Sequence, residues 1–272
     1  MARAPSNATR WKERAEIDYL GPFVKAWAGF NSWYRSETQQ RQDKAGLEYV
    51  KNHANQIRAR ILPLISPTRL DRNDNPIPET EDAERFRLLV WQLHSKLEEH
   101  ALEVYVKEQL EVISFRAVCL SPGGNLPPIR QHRRHEYVAS KTATDWTITV
   151  RGRGGGAVLQ AITINQYDEA AFTAHAGYLA ISLEQRAHAL AQFQLCNPRP
   201  MIDLMNADGG PISIGNLDFR CSREQLFCGI VEVIYAMRNA LLHGEIQPSP
   251  DVLELYEPAY RIIMRFLDCI RD

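Results

Sequence analysis

The chain lacks any apolar run approaching the roughly 20 residues needed to cross a bilayer, so no membrane protein is expected. It also lacks net charge. Its 32 Lys and Arg against 33 Asp and Glu leave −1, so nothing pulls it in bulk toward nucleic acid, and any such contact has to come from a local patch. Cysteine is sparse: Cys119, Cys196, Cys221, Cys228 and Cys269 are odd in number, scattered and without a close pair. That pattern excludes a disulfide framework and a cysteine metal cluster, and it fits mostly inert thiols in a reducing compartment. The opening residues Met1 to Asn7 carry no apolar centre of the signal-peptide kind. No internal repeat and no sustained low-complexity tract occurs. These absences together predict a cytoplasmic protein.

What remains is ordinary for a globular chain: 272 residues, 44% hydrophobic and 24% charged, enough for one large domain or two small ones. A polar arm is expected over about 1–14. Pro22 suits the first turn of a helix reaching about Ser36, with Phe23, Trp27, Phe30, Asn31 and Tyr34 on one face. Leu47, Val50, Ala54, Ile57 and Ile61 predict a second helix from about Thr38 to Leu62, closed by Pro63 and Pro67. The two read as an antiparallel hairpin.

The proline-rich stretch from Ser66 to Glu79 reads as a loop. Thr80 is placed to cap a third helix, with Glu81, Asp82 and Glu84 in the dipole-favoured first turn. Phe86, Val90, Leu93, Leu97, Ala101 and Val104 carry that helix to about residue 118. Trp146 to Val150 and Val158 to Ile164 flank Gly152-Arg153-Gly154-Gly155-Gly156 and predict a β-hairpin over about 145–165. Helix is expected again over 168–194 (Phe172, Leu179, Leu183, Leu190, Phe193), then mostly loop from Cys196 to Ser222, and a last helix from Asp251 to Ile270.

The most informative stretch lies near the C-terminus. Leu226, Ile230, Val233, Ile234, Met237 and Leu241 form the apolar stripe of a penultimate helix. Its last turn carries Arg238, Asn239 and His243. Gly244 offers a left-handed cap, and Pro248 and Pro250 stop the helix from resuming.

Arg238-Asn239-Ala240-Leu241-Leu242-His243-Gly244 resembles the signature of the HEPN superfamily: an Arg, a polar residue beside it, and a His after four intervening positions. Trp27 to Tyr34 is similar to the apolar-Phe-Asn-x-x-Tyr segment that opens many of its bundles. The resemblance covers roughly the first and last quarters of the chain. It implies a mainly α protein, an antiparallel helical bundle from 15–65 and 220–272, with 66–219 as an inserted helical and β-hairpin region. It also implies a homodimer and metal-independent RNA cleavage of a toxin or defence type, with a cognate antitoxin or regulatory protein as a further partner. Some members have lost catalysis and only bind RNA, nucleotide or protein.

The residues can support that chemistry. Cleavage by the ribose 2′-hydroxyl needs a base, an acid and a cation for the pentavalent phosphate. His243 offers an imidazole that can serve as base or acid, Arg238 presents a permanently charged fork, and Asn239, one turn before His243, can orient the imidazole or bond the phosphate. Five residues at 3.6 per turn set Arg238 and His243 about 140° apart, so one copy alone makes a poor site. Two copies across a two-fold axis would pool two arginines and two histidines.

Asn31 and Arg35 on the first helix are expected to lie near the same phosphate. Arg130, His132, Arg133, Arg134, His135, Lys141, Arg151 and Arg153 form a local basic patch against only Glu136 and Asp145, with Tyr137 and Trp146 available for stacking. Of these, Arg133, Arg134, Arg151 and Arg153 are the candidate RNA contacts. The bland readings stand beside these. A His in a last turn also suits the helix dipole, and a charge run is usually a solvated loop. The glycine run lacks the Lys-Ser/Thr ending of a phosphate-binding loop. His132-Arg133-Arg134-His135-Glu136 is not the His-Glu-x-x-His zinc helix, so no metal and no cofactor is expected.

Overall fold

The computed structural model describes residues 18–65, 72, 80–106, 109–121, 123, 126–246 and 249–271. The expected arm at 1–14, the loop at 66–79 apart from Arg72, and Pro248 lie outside the described residues. In chain order, helices α1 (Leu20–Thr38), α2 (Asp43–Asn52), α3 (Gln56–Ile65) and α4 (Glu81–Glu99) lead into strands β1 (Leu102–Val106) and β2 (Gln109–Ile113). Strands β3 (Arg130–His132), β4 (His135–Lys141), β5 (Asp145–Gly152) and β6 (Val158–Asn165) precede helices α5 (Glu169–Ala174), α6 (Ala176–Ala180) and α7 (Leu183–Gln194). Strands β7 (Pro211–Ile214) and β8 (Leu217–Arg220) and helices α8 (Arg223–Leu242) and α9 (Pro250–Leu267) close the chain.

Two compact units result, Met1–Leu120 with Met201–Asp272, and Ser121–Pro200. In the first, α1 buries Phe23, Trp27, Phe30 and Tyr34, the three-and-four spacing read from sequence. These meet Leu226, Ile230, Val233, Ile234 and Met237 of α8, and Tyr256, Ile262, Ile263 and Phe266 of α9, in one continuous core. An aromatic ring buried this way stabilises by about 2–3 kcal/mol over leaving it in water. Helix α4 belongs to this unit too, through Phe86, Val90, Leu93 and Leu97. The second unit is the antiparallel sheet β3-β4-β5-β6 with a separate core, where Phe172 and Phe193 stack at 4.2 Å beneath Ile148, Val150 and Ile162.

The expectation of a mainly α protein is overturned. About 52% of the described chain is helix and 18% strand, and three small antiparallel sheets make this a mixed α/β fold. Each departure has a local cause. The third helix stops at Glu99, because from Leu102 the pattern changes period: Leu102 and Val104 point inward with Glu103 exposed between them. A stripe read at helical spacing through Val104 therefore ran across a change from helix to strand. The second helix is two, broken at His53, which is extended (φ −112, ψ 157). Asn55 makes the break. Its amide donates to the carbonyls of Val50 and His53, and its oxygen accepts from the Arg58 amide, ending one helix and starting the next. Ala54, counted on the buried stripe, is exposed, and Pro63 sits inside α3 rather than closing it.

Helix 168–194 is likewise three short helices, each with its own side-chain cap from Asp168, His175 or Ser182. Leu179 and Leu183, expected on its apolar face, are exposed. The stretch read as loop before Ser222 contains the hairpin β7–β8. Helix α8 is long and apolar enough by composition to cross a membrane, yet more than half of it is buried inside the protein, as a core helix.

Candidate functional site

Helix α8 begins with a capping box, Ser222 and Gln225 each satisfying the other's orphan amide. Its end is fixed as firmly. Gly244 takes the left-handed conformation (φ 68), the Glu245 amide donates to the Ala240 carbonyl at 2.9 Å and the Gly244 amide to that of Leu241 at 3.3 Å. These two bonds make a Schellman motif, in which a Cβ at Gly244 would be strained. His243 is the C-cap residue, still right-handed (φ −88, ψ −2), with its own amide bonded to the Asn239 carbonyl at 2.9 Å. It is therefore not unwound, and the wide angle separating it from Arg238 stands. The imidazole is exposed, as are Leu242, Gly244 and Glu245 around it. Tyr256 of α9 donates its hydroxyl to the Met237 carbonyl at 2.9 Å and pins this last stretch to the core.

Arg238 is part-buried. Its Nη1 donates to Asn239 Oδ1 at 2.8 Å, its Nη2 lies 3.3 Å from Asp43 Oδ2, and its guanidinium carbon sits 5.9 Å from the centroid of the Trp27 ring. Among the described residues, the buried Nε of Arg238 and the indole nitrogen of Trp27 have no acceptor. The Asn239 amide thus turns to the guanidinium and not to the imidazole one turn on.

Asp43 is the residue that sequence reasoning missed. It opens α2 and gathers the first-helix candidates: Asn31 Nδ2 donates to Asp43 Oδ1 at 2.9 Å, and so does Arg35 Nη2, while Asn31 also bonds the Tyr34 hydroxyl. The close approach of α1 and α2 depends on Gly46, where a Cβ would collide with the Tyr34 ring. No local signal singled it out: the helix expected from about Thr38 ran straight through Asp43, whereas α2 starts there. Asn31, Arg35 and Arg238 are thereby brought together around one carboxylate, with Asn239 joined to them through Arg238. His243 stands at the tip beyond them.

Burial would raise the Asp43 carboxyl, but hydrogen bonds from Arg35 and Asn31 and the nearby Arg238 charge outweigh it and hold the group below its ordinary 3.8. A carboxyl lowered in the folded state contributes stability in full above its unfolded value and loses it as pH falls through the folded one. Asp43→Asn keeps the shape and removes the charge. It should cost about 2 kcal/mol at pH 7, the scale of hydrogen bonds to a charged group. Urea midpoints of the two proteins should start to draw together only as pH falls past the ordinary 3.8 and meet only below the lowered native value. A constant gap from pH 7 to pH 3 would contradict this.

The basic patch lies wholly in the second unit and is less free than it reads. Glu184 of α7, distant in sequence, accepts from Arg133 Nη1 at 2.6 Å and lies 2.9 Å from His132 Nε2. Glu136 is buried and accepts from Arg151 Nε at 3.1 Å and from the Gly154 and Gly155 amides of the β5–β6 turn. Those amide bonds, Gly154's foremost, hold its carboxyl below the usual range. The glycine turn has its anion already. Arg153 Nη2 bonds Gln131 Oε1 at 3.1 Å, Lys141 covers Trp146 at 4.1 Å, and Arg134 is exposed. The Cys196 and Cys221 thiols fit no nucleophile: burial alone pushes Cys196 up to about 11 and Cys221 to about 12.

No family model, no curated protein and no solved structure matches the chain.

Proposed function

We propose that this protein is an HEPN-type endoribonuclease, cytoplasmic and of the toxin or defence type, that acts as a homodimer without metal. The observation that supports this most is the tip of α8. A rigid Schellman end presents the exposed imidazole of His243, and five residues back Arg238 is braced by Asn239, Trp27 and Asp43. Two guanidiniums, Arg35 and Arg238, flank the single Asp43 carboxylate, so positive charge remains for a phosphate.

In the dimer the two tips meet across the two-fold axis, and each contributes a histidine and an arginine to one phosphate. One imidazole takes the proton of the ribose 2′-hydroxyl, whose oxygen attacks the phosphorus. The second protonates the departing 5′-oxygen. The arginines offset the charge of the pentavalent intermediate. The products are a 2′,3′-cyclic phosphate and a 5′-hydroxyl, and atoms and protons balance without any cofactor. A cognate antitoxin or regulatory protein would act by covering the exposed tip.

The second reading is a binding module for RNA, nucleotide or a partner protein. The observation that favours it is the same Asp43, which already occupies one edge of the Arg238 fork. One experiment separates the two. Purified protein is incubated with RNA in EDTA, its mass in solution is measured, and the RNA ends are analysed. Cyclic phosphate ends from a dimer support the nuclease. Tight binding with intact RNA supports the module. A monomer that neither binds nor cleaves RNA ends the nuclease and the RNA-binding module alike.

A further inference from the structure

Helix α7 and the β3–β4 hairpin of the second unit meet over a group of side chains that the ribonuclease reading does not use. Glu184 and His188 stand four apart on α7, one turn and one face. His132, at the end of β3, faces them. Its Nε2 lies 2.9 Å from Glu184 Oε1, and its ring stacks on that of His188 with centroids 3.9 Å apart. The three ligand atoms all fall within 4.8 Å of one another.

We propose that His132, Glu184 and His188 bind one divalent transition-metal ion of the zinc type, which ties α7 to the β3–β4 hairpin. The donor set selects the class of ion. Two imidazole nitrogens and one carboxylate oxygen suit zinc, cobalt or nickel, whereas calcium and magnesium take oxygen throughout. The spacing fits as well. Tetrahedral bonds of about 2.0–2.1 Å put donor atoms roughly 3.3 Å apart, which small rotamer shifts reach from the separations present.

The surroundings prepare the carboxylate. Arg133, in the left-handed conformation at φ 51, donates to Glu184 Oε2, leaving Oε1 as the ligand atom turned toward His132. Such an outer partner is what a metal-bound carboxylate ordinarily has. The helix start is fixed by the Ser182–Gln185 capping box, so Glu184 is held on a rigid turn. Tyr137 lies under His188 at 5.5 Å and closes the inner side. An ion pair with Glu184 accounts for His132 and Arg133, and the stack on the His132 ring is what places His188 as a third donor beside them. Three protein ligands leave a fourth position for water. Sequence reading set a metal aside because His132-Arg133-Arg134-His135-Glu136 is not a His-Glu-x-x-His helix; the partners of His132 arrive from 52 and 56 residues further along the chain.

The test uses the full chain stripped of metal with a chelator, then titrated with Zn²⁺ by calorimetry and with Co²⁺ by visible absorption. One ion per chain is expected, with a tetrahedral Co²⁺ spectrum. Affinity should fall by about 100-fold or be lost in His188→Ala and in Glu184→Gln, both checked for folding by circular dichroism. Should either variant fail to fold, protection decides: Zn²⁺ added to the unaltered protein should shield His132 and His188, and not the exposed His243, from chemical modification. No binding, binding that persists in both folded variants, or no such protection overturns the site. RNA cleavage in EDTA is a separate measurement, so either result stands without the other.

Discussion

Replacing His243 by alanine is expected to lower RNA cleavage by about 10²–10⁴-fold, with no comparable change in stability. The size follows from symmetry. In a two-fold site one substitution removes both imidazoles, the base and the acid together, so the effect should fall toward the upper end of that range. The stability half follows from the fold. His243 is exposed, and the Schellman bonds run through the amides of Gly244 and Glu245, not through the imidazole. Surface changes of this kind stay within about 0.5 kcal/mol. A folded, dimeric His243→Ala protein that cleaves at the native rate would remove the proposed nuclease.

Arg238→Ala is a poorer probe of the same idea. Arg238 is part-buried, packed over Trp27 and paired with Asp43, so its loss also removes that packing and one of the two guanidiniums beside the carboxylate. Its effect on activity would mix chemistry with folding. In a producing host, where an active ribonuclease slows growth, relief by His243→Ala is the cleaner readout.

The second large effect concerns stability. Lys51 of α2 is wholly buried, yet its ammonium donates to Glu232 of α8 at 2.5 Å, to Glu48 at 2.6 Å and to the Leu120 carbonyl at 2.7 Å. Burial alone would lower its pKa; the two carboxylates, Glu232 first, outweigh that and raise it, so the lysine remains charged in the core. Removing Glu232 leaves the buried ammonium with part-exposed Glu48 and the Leu120 carbonyl as its remaining partners. Glu232→Ala should therefore cost about 3 kcal/mol, the low end for breaking a buried pair. For a protein of this size that is a fall in melting temperature of roughly 10 °C.

Lys51→Met should cost much less. The straight apolar chain fills the same space, and of the two carboxylates left behind Glu48 stays part-exposed, while Glu232, whose carboxyl burial already raises, relieves its charge by taking up a proton. The asymmetry is the point: equal losses from the two single variants would mean that the ion pair, and not the stranded cation, carries the energy. Thermal melts of both proteins decide it.

How much of this was legible in the chain differs from element to element. The α1 face, the α8 stripe, the Thr80 cap and the left-handed Gly244 were all readable, because each is a local pattern within four or five residues. The β5–β6 hairpin was readable for the same reason, with Gly154 and Gly155 at positive φ as its turn. The breaks were not. Asn55 inside an apolar periodicity and Leu102 at a change of period are single residues whose competing hydrogen bond or burial outweighs a longer pattern. The short strands β3, β7 and β8, three or four residues each, fall below the length at which alternation can be recognised.

The sequence by itself determined which side chains stand on the tip of α8 and how that helix ends, since a cap, a stripe and a glycine act between neighbours. Only the tertiary structure decided what those side chains meet. Asp43, eight residues beyond Arg35 and 195 before Arg238, comes to lie between them because α1, α2 and α8 pack around one core. Glu184 reaches His132 and Arg133 by the same logic in the other unit. Charge pairing over such separations is set by where apolar faces bury themselves, and no local pattern in the chain encodes it.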